Sequence, residues 1–311
     1  MASNLAKRLR SHQEAGGVRA RSTWGHGPRL TAQFSRGSVN HNGHSTYYLL
    51  EESPPVKFPP LLGDANRLRR QLQLVRGIGP KTAQRLEAEG IVWVDELLET
   101  KRFQTEAKHV LRAIEARDAW ELARRGASDW DLARLYEPEE FVFFDLETTG
   151  LCSTQPLFLV GLMYFEQGKP HLKQFLARGF EEEIGALDAA ADILGNRPVW
   201  VSYNGRAFDQ PFLNGRLRYY LGNELRPGLH IDLLRHVRQH YTGLLPDCRL
   251  TTVERYLLDT YRVGDIPGYM IPQVYYEFVM DQEPALLEMV LLHNSRDLQT
   301  LVRLLGLLQT L

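Results

Sequence analysis

Over the first sixty residues apolar positions are scattered among Gly, Ser, Arg and His, and Gly16-Gly17 and the proline-bearing stretch Ser53 to Pro60 interrupt any period. This predicts a largely irregular, basic arm over residues 1–60, with one short strand expected at Thr46 to Leu50, where two tyrosines and two leucines gather. From Asp64 to about Tyr136 the period becomes helical: Leu68, Leu72 and Val75, then Ala83, Leu86 and Ile91, then Val110, Leu111, Ile114 and Leu122 recur at spacings of three and four. A small all-helical domain is therefore expected over residues 61–136.

Beyond Pro138 the pattern changes again. Phe141 to Leu146 is an apolar run ending in acids, and Leu157 to Phe165 and His171 to Ala177 follow, separated by the turn-like Glu166-Gln167-Gly168-Lys169. A helix is expected at Glu181 to Leu194, a strand at Val199 to Tyr203, a helix at Phe208 to Leu221, a short strand ending near Asp232 and a long amphipathic helix at Glu283 to Leu308. Three strands followed by alternating helices and strands predict a mixed α/β sheet with flanking helices over residues 137–311.

Composition narrows the class. With 311 residues, 43% hydrophobic and 24% charged, the chain has the make-up of a globular protein of about two domains. Its longest apolar run, Leu157 to Phe165, is far short of the roughly 18 residues of a membrane span, and the basic N-terminus has no apolar secretion core, so a cytoplasmic protein with no membrane partner is expected. Cys152 and Cys248 are too few for a disulfide framework. The net charge of −1 conceals a division: residues 1–130 carry 21 Lys and Arg against 14 Asp and Glu, and residues 131–311 carry 16 against 24. A basic half suits a polyanion, while an acidic half suits either a solvated surface or a carboxylate site that takes cations.

Two stretches carry candidate chemistry. In Val75-Arg76-Gly77-Ile78-Gly79-Pro80-Lys81-Thr82-Ala83, Gly77 and Gly79 can leave backbone N–H groups uncovered and Pro80 suits the first turn of a helix, so a phosphate could approach the helix N-terminus beside Lys81. In Phe141-Val142-Phe143-Phe144-Asp145-Leu146-Glu147-Thr148-Thr149-Gly150, Asp145 and Glu147 lie two apart on a strand and share a face. A second acid, Asp209, follows the strand at Val199 to Tyr203 through Asn204-Gly205-Arg206-Ala207-Phe208. A third piece, His293-Asn294-Ser295-Arg296-Asp297, puts His293 and Asp297 four apart on one helix face. Two carboxylates converging at a strand end, as Asp145 and Glu147 would, repel unless a cation joins them, and hard oxygen donors favour Mg²⁺ or Mn²⁺.

The glycine stretch resembles the helix-hairpin-helix motif, a sequence-independent DNA-binding element, over roughly residues 64–100. Asp-Leu-Glu-Thr-Thr-Gly, Tyr-Asn-x-x-x-Phe-Asp and His-Asn-x-x-Asp, in that order, resemble the three motifs of the DEDD 3'-to-5' exonucleases of the ribonuclease H-like superfamily, and Asp265-Ile266-Pro267-Gly268 with Ile271-Pro272 is most similar to the bacterial YprB-type proteins within it. The resemblance implies a ribonuclease H-like fold preceded by a helix-hairpin-helix domain, with Asp145, Glu147, Asp209 and Asp297 as ligands of two Mg²⁺ or Mn²⁺ ions. Gly77, Gly79, Lys81, Thr148 and Asn204 are the expected nucleic-acid contacts. His293 departs from the better-known subfamilies, standing at the spacing where tyrosine-type members carry Tyr. A neutral imidazole there can take the proton of the attacking water, or can orient that water.

Other features have plainer expected roles. Asp232 suits a helix cap, though it could add a fifth carboxylate, His236 and His240 suit a solvated helix face, and Asp265 to Gly268 reads as a Pro-Gly turn. The function expected is metal-dependent hydrolysis of phosphodiester bonds, as a 3'-to-5' exonuclease on nucleic acid, with DNA favoured over RNA through the helix-hairpin-helix resemblance. An endonuclease or junction nuclease on the same fold, or a binding module without turnover, remains open.

Overall fold

A computed structural model of the chain describes residues 37–62, 64, 66–281 and 284–310, so residues 1–36 of the expected arm lie outside the described residues. Within the rest of that arm the strand expected at Thr46 to Leu50 is present as β2 (Thr46–Glu52), while residues 37–41, expected to be irregular, form β1 (Gly37–His41). The two make a hairpin that joins the main sheet through antiparallel pairing of β2 with β5 (Lys169–Leu176). Tyr48 and Leu50 bury on one face of β2, which is the physical reason for its docking. β1 lies at the sheet edge, where a strand can stay polar, and Gly-Ser-Val-Asn-His carries little hydrophobic signal.

The helical region contains α1 (Arg67–Arg70), α2 (Pro80–Ala88), α3 (Gln104–Glu115), α4 (Ala119–Arg124) and α5 (Asp129–Ala133), with 3-10 turns at Leu72–Leu74 and Val94–Glu99. Asp118 and Ser128 cap α4 and α5 by accepting from the backbone N–H of Glu121 and Asp131. The periodic residues named from the sequence, among them Leu68, Leu72, Val75, Ala83, Leu86, Val110 and Leu122, are buried together.

The remaining elements follow the predicted order: β3 (Phe141–Thr148), β4 (Leu157–Glu166), β5, α6 (Glu183–Gly195), β6 (Val199–Ser202), α7 (Asp209–Leu221) and β7 (Leu229–Asp232). The sheet runs β1-β2-β5-β4-β3-β6-β7, antiparallel throughout except for the parallel pairs β3 with β6 and β6 with β7. Alternation along β3 divides the interior. Phe141 and Phe143 face a core shared with the helical region and the C-terminal half of α11 (Pro284–Leu308), while Val142, Phe144 and Leu146 face one shared with α6, α7 and α10 (Ile271–Asp281). Between β7 and α10 lie α8 (Leu233–Tyr241) and α9 (Leu250–Leu257). Among the described residues, no helix is long and apolar enough to cross a membrane.

Candidate functional site

Asp145 and Glu147 project from the end of β3 on one face, as their spacing requires. Across the sheet Asp145 pairs in register with Gly161 of β4, and Gly161 with Gln174 of β5, so the three lie in one row. Over this row lies Asn294 of α11, completely buried. Its amide donates to Asp145 Oδ2 at 2.8 Å, while its carbonyl accepts from Gln174 Nε2 at 2.9 Å. A Cβ on Gly161 would stand 2.1 Å from Asn294 Oδ1, so the bare glycine is what lets the helix reach Asp145.

The other motif residues converge on the same end of the sheet. Asp209, buried at the start of α7, accepts from the backbone N–H of Leu146 at 3.2 Å, which links the second motif to β3. His293 and Asp297 come one turn apart on α11, with Nε2 and Oδ2 separated by 3.6 Å. His293 Nδ1 meets Asp265 at 3.1 Å, and Arg262 extends to Asp265 at 2.9 Å, to Asp297 at 2.5 Å and to Glu254 of α9 at 2.5 Å. Glu254 also accepts from the hydroxyl of Thr300. Arg262 is thus a buried cation tied to three carboxylates.

Burial and mutual repulsion set the electrostatics. Burial, with the charges of Asp297 and Asp209, holds the Asp145 carboxyl well above the usual carboxylate range. Glu147 is raised likewise by burial and by Asp145, Asp297, Asp209 and Asp265. Asp209 is pushed up to about 7, mainly by burial, although its backbone hydrogen bonds oppose the shift. Asp297 is raised by burial against the lowering charges of His293 and Arg262. Asp265 goes the other way, down to about 2, because the hydrogen bonds and charges of His293 and Arg262 outweigh its burial. For His293 burial opposes protonation, but Asp265 and Asp297 prevail and its pKa is raised.

Among the described residues, no three His, Cys, Asp or Glu side chains form a ready-made ion cage. Asn294, the Leu146 N–H and Arg262 each hold one carboxylate apart. The donor set nevertheless fits a hard divalent cation: all oxygens, no thiolate, and carboxylates that raise one another's pKa for want of positive charge. Asp297 Oδ1 is buried against the Arg262 guanidinium at 2.5 Å, so positive charge is already drawn to this end of the cluster.

The expected nucleic-acid contacts are divided. Thr148 is buried, and its hydroxyl donates to the Gly150 carbonyl at 2.7 Å, so the donor is spent within the turn. Asn204 sits half-buried with φ of 70°, its N–H held by Asp232 at 2.8 Å. Asp232 also accepts from Arg206 N and Leu234 N, which makes it the cap of α8 and the anchor of the loop that leads to Asp209. The glycine turn lies apart from the carboxylates, in the helical region. There Ile78 is buried, Lys81 is exposed, and Gly77 has φ of 89°. Gly79, unlike Gly77, is not left-handed: its φ is −88°, and a Cβ there would meet open space before α2. Of the nearby cations, Arg67, Arg69, Arg70 and Arg85 are ion-paired to carboxylates.

Comparison with known proteins settles the family. The RNase_H_2 sequence model, described as RNase_H superfamily, matches residues 142–309. The chain belongs to the RNase_H superfamily. The match spans all three acidic motifs, β3 to α11, and leaves the helical region outside it. An alignment of 178 positions that covers 55% of this chain is 33% identical to the uncharacterized protein YprB of Bacillus subtilis (strain 168) and spans 42% of that protein's length. A family B DNA polymerase from the hyperthermophilic archaeon Pyrobaculum calidifontis aligns over 55% of this chain and 24% of its own, at 20% identity and a TM-score of 0.41. The superfamily fold is of nuclease type.

Sequence reasoning passed over several residues of the site. Asp265, read as part of a turn, orients His293; Arg262, Glu254 and Gln174 carried no local signal because their partners lie across the fold. His236, expected on a solvated helix face, is buried and pairs with Asp129 at 2.9 Å, since the helical region covers α8 there. His240 is exposed as expected.

Proposed function

We propose that the chain is a divalent-metal-dependent nuclease of the DEDD 3'-to-5' exonuclease type, acting on DNA, with residues 61–136 as a helix-hairpin-helix domain that holds the phosphate backbone and residues 137–311 as the hydrolytic domain. The observation that carries this reading is the convergence of Asp145, Glu147, Asp209 and Asp297, three of whose charges raise the pKa of the fourth, at the end of β3. Mg²⁺ or Mn²⁺ bound by these four would neutralise the cluster, polarise the phosphodiester and lower the pKa of the attacking water. The chain's own groups do the rest. Asn294 fixes Asp145, the Leu146 N–H fixes Asp209, and Asp265 accepts the Nδ1 proton of His293 so that Nε2 is the atom offered to the proton of the attacking water. The first turn of α2 presents N–H groups that have no partner within the helix, and with Lys81 and Gly77 it suits a backbone phosphate.

Matched 3'- and 5'-labelled single-stranded DNA and RNA, with Mn²⁺ or with chelator, test the reading. The expected result is metal-dependent shortening from the 3' end, faster on DNA. Cleavage of closed circles would replace the exonuclease by an endonuclease, and binding without cleavage of any substrate would reject the enzyme.

A further inference from the structure

Next to the carboxylates opens a groove of about 890 Å³, walled by α9, the segment 258–270 and the face of α11 that bears His293. It is near the upper end of the ~300–1,000 Å³ of ligand clefts, and its inner end is formed by Arg262, Asp265 and His293. Its mouth has an unusual surface. Tyr256, Tyr261 and Tyr269 are 54%, 65% and 84% exposed, so their rings are open to solvent. The Arg255 guanidinium lies 5.6 Å from the Tyr256 ring and 5.7 Å from the Tyr261 ring, which holds the two rings in place from one side. The Arg249 guanidinium, exposed on the same wall, lies 3.8 Å from the Asp247 carboxylate. Arg262 contributes no net charge to the mouth, because Glu254, Asp265 and Asp297 surround it.

We propose that this groove binds a single-stranded polynucleotide, with bases stacked on Tyr256, Tyr261 and Tyr269 and phosphates facing Arg249 and Arg255, and leads its end to His293. The inference rests on the nuclease reading for the direction in which the strand runs, while binding itself stands on the groove. Open ring faces alternating with arginine are the surface that unpaired bases seek, since every base has a stacking face and the backbone is anionic along its whole length. A duplex hides those faces within its own stack and gains from the arginines alone. The groove therefore separates single from double strands without reading sequence, and the glycine turn before α2, which offers only phosphate contacts, does not.

The test is equilibrium binding of the full chain, in EDTA so that no turnover occurs, to fluorescein-labelled oligo(dT), oligo(U) and a blunt DNA hairpin, followed by anisotropy. Replacing Tyr261 and Tyr269 together by Leu is expected to weaken oligo(dT) binding about tenfold or more while hairpin binding changes less than twofold. The Tyr261→Phe, Tyr269→Phe double variant, which keeps both rings, is expected to bind as the parent does. Oligo(U), which also offers stacking faces and a charged backbone, is expected to lose affinity in the Leu variant as oligo(dT) does; an oligo(U) affinity unchanged by the Leu variant would overturn stacking as the basis of binding. Unchanged oligo(dT) affinity in the Leu variant, or an equal loss on the hairpin, overturns the proposal, as does failure of the Phe variant to restore binding in a chain whose circular dichroism matches the parent. Absence of cleavage in Mn²⁺ with the tyrosine dependence intact would reject the nuclease and keep the groove.

Discussion

At the scale of single residues, the site is a set of carboxylates kept in place by neighbours that do no chemistry themselves. Gly161 is the sharpest case. Its hydrogen atom faces Asn294, and a methyl group would arrive 2.1 Å from the amide oxygen that accepts from Gln174. Gly161→Ala is expected to cost about 1–3 kcal/mol in urea unfolding and to lower activity as well, because the displaced Asn294 no longer holds Asp145. Stability and activity unchanged would show that α11 adjusts freely. Asp265 acts through His293: Asp265→Asn cannot accept the Nδ1 proton in the same way, and a fall in kcat of ~10²-fold with KM little changed is expected from steady-state kinetics. A rise in KM at constant kcat would instead make Asp265 a binding residue.

At the scale of elements, what decides function is where turns and strand ends fall. Gly79 is the N-cap of α2 with an ordinary φ and open space around its missing Cβ, so Gly79→Val is expected to cost about 1 kcal/mol of stability through the poorer cap and to weaken duplex binding in the still-folded chain, by placing a branched side chain where a phosphate would approach. Equal duplex affinity would remove the turn from the interface. The strands that carry the acids could be read in advance, because a buried strand writes itself as an apolar run and a spacing of two places Asp145 and Glu147 on one face. Likewise the four-residue spacing brought His293 and Asp297 together on α11. β1 is not legible in the sequence because an edge strand keeps a polar surface, nor are α9 and α10, because the long segment between β7 and α11 breaks the alternation of strands and helices. Arg262 was silent for another reason. An ion pair between residues 35 apart in sequence, such as Arg262 with Asp297, leaves no trace in local pattern.

At the scale of the whole molecule, the basic helical region and the acidic sheet region share a hydrophobic core and polar contacts that include Arg117 with Glu140 and the carboxylate of Asp129. Asp129 of α5 meets His236 Nε2 at 2.9 Å and Arg206 at 3.7 Å, and the neighbouring Trp130 ring lies 4.3 Å from the His236 ring. Arg206 belongs to the loop between β6 and Asp209, so the junction supports the site indirectly. Burial would raise the Asp129 carboxyl, but His236, Arg206 and Arg235 hold it below the usual range. Asp129→Ala leaves His236 without its carboxylate while the partly exposed Arg206 keeps its bond to the His230 carbonyl, so a cost of about 1–3 kcal/mol is expected, with separation of the urea transitions followed by tryptophan fluorescence and by circular dichroism. A single transition at the parental midpoint would mean that the shared hydrophobic core and the remaining contacts couple the two regions without it. The centre of the account is the carboxylate cluster, and its most direct test is the rate of cleavage of single-stranded DNA in Mn²⁺ by the parent chain and by Asp145→Asn. Cleavage that disappears with chelator and falls by about 10²-fold or more in the variant, while binding in EDTA is retained, is the result predicted. Equal cleavage by the two chains, or cleavage indifferent to metal, would contradict it.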